Sequence, residues 1–303
     1  MRHLLSISDL NRAEIERLFQ RASDLKASLK RGQTVTPLAG RSLALVFEKP
    51  SLRTRVTFQV AMTQLGGQAL YLSVQEIQLG VRESVSDVAR NLGRWVDAIA
   101  ARTYAHATVE ELAAWAGVPI INALSDREHP CQALADLFTL WERGLDLRSL
   151  KFTWIGDGNN NVCHSLMLLT ALVGMPMRIA SPPGYAPDSD IQSLARSLSG
   201  RFELTEDPKE AARDADVLYT DVWTSMGQEA EREKRLAAFQ RYQINDHLLR
   251  LAKDGALVMH CLPAHRGEEI TDSALDGPQS IVFDQAENRL HVQKAILLSL
   301  LGE

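Results

Sequence analysis

Short apolar runs alternate with helical stretches along nearly the whole chain, and this alternation restricts the possible folds more than any other feature of the sequence. Runs this continuous suit strands that are buried on both faces, and helices between them allow parallel connections. The pattern therefore predicts the α/β class. We predict nine strands: Leu43–Phe47, Ala69–Leu72, Ala98–Ala101, Val118–Ile121, Phe152–Ile155, Met177–Ala180, Val217–Tyr219, Leu257–His260 and Ile281–Phe283.

The predicted strands fall into two sets, separated by the helical pattern of Pro130–Gly144. A chain of 303 residues is long for one domain and suits two. We therefore predict two similar parallel-sheet three-layer domains linked by helices, with an active site in the cleft between them. The predicted boundaries are residues 1–140 and 141–286, followed by a C-terminal helix within 287–303 that packs back across both domains.

Composition excludes several classes of protein. Hydrophobic residues make up 45% and charged residues 23%, which is typical of globular proteins. With 33 basic and 38 acidic residues the net charge is −5, so we expect no nucleic-acid partner and no membrane binding. The most apolar stretch, Leu166–Met177, is too short to span a bilayer. The start of the chain lacks the apolar core of a secretory signal, and three irregularly spaced cysteines suggest no disulfide framework, so we predict a cytoplasmic protein.

Polar residues follow most of the predicted strands. In open parallel sheets, ligands bind beyond the carboxyl ends of the strands, so these residues are the first candidates for a site. After the strands of the first half come Ser51 to Arg55, Arg102 and His129 to Gln132. After those of the second half come Asp157 to Asn161, Asp221 to Gly227, His260 to Pro263 and Glu287 to Arg289.

Ser51 to Arg55 form the best candidate for an anion site. Ser51 is a plausible N-cap, and the N–H groups of a first helical turn bind phosphate. Arg53 and Thr54 would add hydrogen bonds there. The alternative is a capped helix with solvated arginines, and spacing alone does not separate the two. His129 near Cys131 also suggests a metal, but no second pair of ligands has the spacing of a zinc site.

Several motifs, taken in order, resemble those of the aspartate/ornithine carbamoyltransferase family. The segment Ser51-Leu52-Arg53-Thr54-Arg55 is similar to the family's Ser-Thr-Arg-Thr-Arg sequence, and His129-Pro130-Cys131-Gln132 to its His-Pro-x-Gln sequence. Two others resemble the family's ornithine branch, namely Asp221 with Ser225-Met226-Gly227, and His260-Cys261-Leu262-Pro263. Leu52 departs from the pattern, because the family usually has threonine there.

The resemblance implies transfer of a carbamoyl group from carbamoyl phosphate to the δ-amine of L-ornithine, giving L-citrulline and phosphate, as in arginine biosynthesis or the urea cycle. It implies no cofactor and no metal. It also implies a homo-oligomer, a trimer, in which Gln78 is donated to a neighbouring subunit's site.

The resemblance also assigns residues. The catalytic ones are Arg53, Arg102, His129, Cys261 and Arg289. The carbamoyl phosphate contacts are Ser51, Leu52, Arg53, Thr54, Gln78, Arg102, His129, Pro130, Cys131, Gln132, Cys261, Leu262 and Arg289. The ornithine contacts are Asn161, Asp221, Ser225 and Met226. On sequence alone Cys261 would more often be a packing residue; the resemblance instead places it at the side-chain amine.

Other functions compete with this interpretation. Gly156-Asp157-Gly158 suggests a dinucleotide site, but Asn161 stands where the third glycine of that motif belongs. A second alternative is a binding protein that has the same fold but has lost catalysis. The presence of Arg53, Arg102 and Cys261 argues against it, because such a protein would not need these residues. Within the family, aspartate, putrescine or an N-acylated ornithine could be the acceptor, and Cys261 with Ser225-Met226-Gly227 favours free ornithine.

Overall fold

The computed structural model describes residues 2–33, 35–225 and 227–302. These residues form two compact units. The first comprises Met1–Phe138 together with Glu287–Glu303, and the second comprises Thr139–Ala286. Among the described residues, none of the helices combines the length and the apolar character that crossing a membrane requires.

The first unit is built on a four-stranded parallel sheet. Its strands are β1 (Ser42–Phe47), β2 (Gln68–Ser73), β3 (Ala98–Arg102) and β4 (Ile120–Leu124), in the spatial order β2-β1-β3-β4. The chain leaves β1 to one side to form β2 and crosses to the other side for β3. The point between β1 and β3 is thus the topological switch point, where ligands bind in such sheets.

Helices pack against this sheet, and the N-terminal segment covers one edge. The helices are α1 (Arg12–Lys30), α2 (Leu52–Gln64), α3 (Val74–Ile77), α4 (Val85–Leu92), α5 (His106–Trp115) and α6 (Pro130–Trp141). Leu4 lies beside β4: its N–H donates to the Ile120 carbonyl at 2.8 Å, and its carbonyl accepts from the Asn122 N–H at 2.7 Å. These bonds satisfy backbone groups that an open edge would leave unpaired.

The second unit has a five-stranded parallel sheet in the order β7-β6-β5-β8-β9. Its strands are β5 (Phe152–Ile155), β6 (Met177–Ala180), β7 (Phe202–Thr205), β8 (Val217–Thr220) and β9 (Leu257–His260). Its helices are α7 (Asn161–Val173), α8 (Ser189–Ser197), α9 (Pro208–Ala212), α10 (Arg232–Phe239), α11 (Asp246–Leu249) and α12 (Asp272–Asp276). The last helix, α13 (Val282–Leu301), begins in this unit and runs into the first. The switch point lies between β5 and β8.

The structure confirms the predicted parallel α/β class and corrects two strands. Phe202–Thr205 was not predicted as a strand; it is an edge strand with Glu203 and Leu204 exposed, so it lacks a continuous apolar run. The predicted strand Ile281–Phe283 is wrong, because α13 begins at Val282 and Phe283 is 68% exposed. Only Ile281 keeps strand-like bonding, through its N–H to the Val258 carbonyl at 3.0 Å.

Candidate active site

The anion-site candidates lie at the carboxyl ends of β1 and β3. Phe47 is in register with Arg102, so both strands end at the same point. After β1 the chain turns through Ser51, whose side-chain oxygen accepts from the Thr54 N–H at 3.2 Å, and α2 begins at Leu52. Ser51 is therefore the predicted N-cap. The first turn of α2 directs N–H groups and the positive end of the helix dipole toward this point.

Three buried side chains from distant segments are bonded to one another here. Arg289 of α13 donates through one terminal nitrogen to the Thr54 hydroxyl at 2.8 Å and through the other to the Gln132 side-chain oxygen. Gln132 in turn donates from its amide nitrogen to Asp136 at 2.7 Å. The structure thus brings together predicted residues from α2, α6 and α13, all of them almost fully buried.

His129 is surrounded by cations. Burial lowers the pKa of His129 well below its usual 6.5, and the nearby charges of Arg289, Arg102 and Arg53 lower it further. The imidazole is therefore neutral at pH 7. Three guanidinium groups around one neutral histidine create a positive potential that suits an anion with more than one negative charge.

The other residues predicted for this site have varied surroundings. Leu52 is 75% exposed, and Pro130 occupies the first position of α6, where its missing N–H costs nothing. Burial raises the pKa of the Cys131 thiol to about 12, so this side chain stays neutral and packs in the interior. Gln78 is exposed, with a left-handed φ of 47°, and its carbonyl accepts from the N–H groups of Val81 and Arg82.

A second group of polar side chains lies at the carboxyl ends of β5, β8 and β9. Asp221 directly follows β8, and its carboxylate accepts from the Asn160 amide at 2.9 Å. Asn160 also caps α7 by accepting from the Val162 N–H at 2.7 Å. The prediction named Asn161, which is half-buried at the start of α7, whereas Asn160 is the asparagine that contacts Asp221. Two adjacent asparagines cannot be separated by sequence pattern alone.

His260 is the last residue of β9, and Cys261 follows it at the same carboxyl edge of the sheet. Ligand atoms of Asp221, His260 and Cys261 lie within 4.8 Å of one another, and the Cys261 thiol is half-buried. His260 Nδ1 accepts from the Leu262 N–H at 2.9 Å, so its proton is on Nε2, which lies 3.1 Å from the buried Glu269 carboxylate. Since the imidazole's lone pair is already used, we assign His260 a structural role and no metal site to this group.

The segment after β8 is anchored by an ion pair that the sequence did not reveal. Arg235 of α10 donates to Asp157 at 2.7 Å and to the Trp223 carbonyl at 2.9 Å. Burial raises the pKa of Asp157, and the ion pair only partly offsets this effect. Ser225, predicted for ornithine, is half-buried and its N–H donates to the Gln228 side chain at 3.0 Å. Met226, predicted with it, lies outside the described residues.

Comparison with known families finds matches over both units. The carbamoyl-P binding domain of aspartate/ornithine carbamoyltransferase matches residues 2–142, and the Asp/Orn binding domain of the same family matches residues 148–300.

Individual relatives match over the full length. Ornithine carbamoyltransferase of Archaeoglobus fulgidus is 54% identical over 303 residues, which is 100% of this chain and 98% of the relative. The solved structure of ornithine carbamoyltransferase from Pyrococcus furiosus has a TM-score of 0.96 at 50% identity and covers 99% of this chain and 97% of its own. That from Thermus thermophilus has a TM-score of 0.89 at 50% identity, with 99% of each chain covered.

Proposed function

Because the chain belongs to the aspartate/ornithine carbamoyltransferase family, we propose that it transfers the carbamoyl group of carbamoyl phosphate to the δ-amine of L-ornithine, giving L-citrulline and phosphate. The observation that carries this proposal is the cationic group in the first unit. Arg53, Arg102 and Arg289 surround a neutral His129 beside the N-terminus of α2, an arrangement suited to the dianion of an acyl phosphate.

The first unit holds carbamoyl phosphate in this proposal. The phosphate lies on the first turn of α2, near Ser51, Leu52 and Arg53, and the positive potential offsets the charge that develops as it departs. Arg102, Thr54 and neutral His129 face the carbonyl oxygen, where negative charge develops in the transition state. His129 acts there as a hydrogen-bond donor, since its low pKa excludes a proton-carrying role at neutral pH.

The chemical step needs no covalent enzyme intermediate. The neutral δ-amine attacks the carbamoyl carbon, a carbon–nitrogen bond forms, and the bond to the phosphate oxygen breaks with its electron pair leaving on phosphate. One proton leaves the attacking nitrogen. We assign Cys261 to orient this amine or to accept that proton, because a thiolate can do so near neutral pH.

The second unit holds L-ornithine. Asp221 pairs with the α-ammonium group, and its bond to Asn160 fixes the carboxylate. Asn161 and Asn160 offer amide groups to the α-carboxylate, while Ser225 and Met226 complete the contacts that the family implies. The mixed polarity of this group matches a zwitterionic amino acid with a second amine, and Cys261 beside Asp221 favours ornithine over other acceptors.

The protein also assembles as a homotrimer in this proposal. Exposed apolar side chains support it: Leu52 and Val56 share one face of α2, Leu70 lies on the neighbouring strand β2, and Val81 in the following loop is 86% exposed. The exposed Gln78 lies in that same loop and would reach the adjoining subunit. Light scattering should give three times the 33.6 kDa chain mass, and a fully active monomer would contradict the trimer.

We place the reaction in the cytoplasm, as a step of arginine biosynthesis or of a urea-cycle type. The three cysteines support this location, because all are free thiols, as reducing compartments keep them.

A competition assay tests the proposed reaction. Purified protein with carbamoyl phosphate should form citrulline from ornithine, with little or no product from putrescine or N-acetylornithine at equal concentration. Equal rates with all three acceptors would contradict the assignment of Asp221 to the α-ammonium group. The absence of any carbamoylated product would contradict the proposed function itself.

A further inference from the structure

A buried carboxylate that the proposed mechanism does not use contacts the donor site. Asp136 lies in α6 one helical turn beyond Gln132 and is fully buried. Its oxygen accepts from the Gln132 side-chain nitrogen at 2.7 Å. A carboxylate can only accept hydrogen bonds, so the NH₂ end of the Gln132 amide is held at Asp136.

The other end of the same amide meets a partner of the opposite kind. The Gln132 oxygen accepts from Arg289, and a guanidinium can only donate. Turning the amide over would place its oxygen against a carboxylate and its NH₂ group against a guanidinium. Two unfavourable contacts would replace two charge-assisted bonds, so the chemistry of the neighbours fixes the orientation.

This orientation decides which group Gln132 presents to the anion site. Arg289 also donates to the Thr54 hydroxyl at 2.8 Å, and Thr54 belongs to the first turn of α2. The end of Gln132 nearest that turn is therefore its oxygen, which keeps a second lone pair beyond the one used by Arg289. An oxygen at this place can accept a hydrogen bond from the NH₂ group of a carbamoyl donor. The methyl group of an acetyl donor cannot donate one.

We propose that Asp136 is a positioning residue that determines acyl-donor specificity: it fixes the Gln132 amide so that its oxygen accepts from the NH₂ group of carbamoyl phosphate. The proposal rests on the proposed function. It predicts that removing Asp136 affects discrimination between NH₂ and CH₃ more than it affects the binding of phosphate.

Two analogues of equal shape measure this discrimination. Phosphonoacetamide carries the NH₂ group, and acetonylphosphonate carries CH₃ in its place; inorganic phosphate reports on the anion site alone. Calorimetry on the wild-type protein should show the amide binding about tenfold or more tightly than the ketone, as sites built for a polar group reject its apolar analogue. In Asp136→Leu the ratio should fall to about twofold, with the phosphate affinity changed by less than about threefold.

Three further variants separate orientation from packing. Asp136→Asn keeps an oxygen that can accept the same bond, so it should retain most of the preference. Gln132→Glu alone places two carboxylates together and should lose amide binding, whereas Gln132→Glu combined with Asp136→Asn again presents only an acceptor and should restore the preference. Comparing Gln132→Glu with the double variant tests the proposal even if Asp136→Leu does not fold. Asp97 directly precedes β3, at the end of that strand opposite to Arg102. As a control, Asp97→Asn should leave the preference for the amide unchanged.

The outcomes are distinct. The specificity role would be overturned if Asp136→Leu weakened the binding of the amide, the ketone and phosphate equally. It would also be overturned if the double variant failed to restore the preference for the amide. A wild-type preference that persists in Asp136→Leu would also overturn it while leaving the proposed function intact. A wild-type protein that prefers neither analogue and makes no citrulline would instead contradict the proposed function.

Discussion

The two units share a sheet architecture and differ in the residues that follow corresponding strands. In both, the candidate residues follow strands that flank the switch point of a parallel sheet or lie next to those strands. The first unit places arginines there, and hydrogen bonds link Arg289 to Thr54 and to Gln132. The second places Asp221 and Cys261 there, next to the partly exposed segment around Ser225. In the proposed function the same sheet architecture therefore carries an anion site in one unit and an ammonium site in the other, and the side chains decide which.

The largest effect should come from removing one of the arginines around His129 in the first unit. Arg53→Ala removes one of the charges around His129 and the proposed contact to the departing phosphate, so kcat/KM should fall about 10³-fold. The pKa of His129 should rise, because Arg53 contributes to lowering it. Steady-state kinetics measure the first effect and histidine NMR the second. Arg12→Ala, on the surface of α1, is the control, and a loss below tenfold would show that charge in the first unit matters less than proposed.

The corresponding change in the second unit should be smaller and confined to the acceptor. Asp221→Asn leaves the α-ammonium group without its counter-charge, so KM for ornithine should rise about 10²-fold while KM for carbamoyl phosphate stays within about twofold. Asp216→Asn, at the amino end of β8, removes a carboxylate of the same unit outside the site. An unchanged KM for ornithine in Asp221→Asn would contradict the assignment of the ammonium site.

Acid should weaken the first unit through α13. Burial, with the charges of Lys294 and Lys26, lowers the pKa of His291 to about 4. The unfolded chain binds this proton near pH 6.5 and the folded one does not, so stability is lost as pH falls from 6.5 toward 4. By pH 5 this residue should cost roughly 2 kcal/mol of unfolding free energy.

Urea unfolding at pH 7.5 and pH 5 measures this loss. His291→Asn should lose less stability than the wild type between the two values, and the exposed His247→Gln should behave as the wild type. Parallel losses in His291→Asn and the wild type would show that another group is responsible.

A milder effect on turnover is expected from replacing the Cys261 thiol of the second unit. Cys261→Ser should lower kcat about tenfold and change its pH profile, because a hydroxyl does not ionise in the range where a thiolate forms. Cys163→Ser provides a comparison, since Cys163 is a buried packing residue of α7. If kcat and its pH profile were unchanged in Cys261→Ser, the cysteine would be a packing residue.

The smallest effect should come from Leu52, the position where the chain departs from its family. The side chain is 75% exposed, so Leu52→Thr removes little packing within the chain and returns a hydroxyl to the first turn of α2. The KM for carbamoyl phosphate should change by less than about threefold, in the direction of tighter binding. Light scattering should still give the trimer mass, because Val56, Leu70 and Val81 keep the rest of the exposed apolar surface. A severe loss of activity would contradict this prediction.

Sequence patterns predicted the fold where burial and periodicity agree. Continuous apolar runs such as Phe152–Ile155 and Leu257–His260 became strands with those bounds. Phe202–Thr205 escaped prediction because an edge strand carries exposed and charged residues, and the apolar Ile281–Phe283 misled because the start of a buried helix has the same composition. Both errors occur where tertiary position, rather than local sequence, decides the element.

The site could be predicted only in part, and its assigned roles stay predictions. Motifs pointed to Thr54, Gln132 and Arg289, but no pattern in the sequence links residues that far apart into one hydrogen-bonded group. Asp136 and Glu269 were missed because an acidic residue in a helix or loop is usually solvated, and only burial shows that each orients a neighbour.

The first unit is discontinuous in sequence, and this has a consequence for how the protein is made. Arg289 reaches Thr54 across 235 residues, and the whole second unit is translated between them. A nascent chain can form the first sheet early, but its donor site lacks a guanidinium until α13 leaves the ribosome. No single continuous fragment that lacks the second unit contains the complete first unit, because its two segments flank the second unit in sequence. The donor site proposed here is therefore complete only after the whole second unit and α13 have been synthesised.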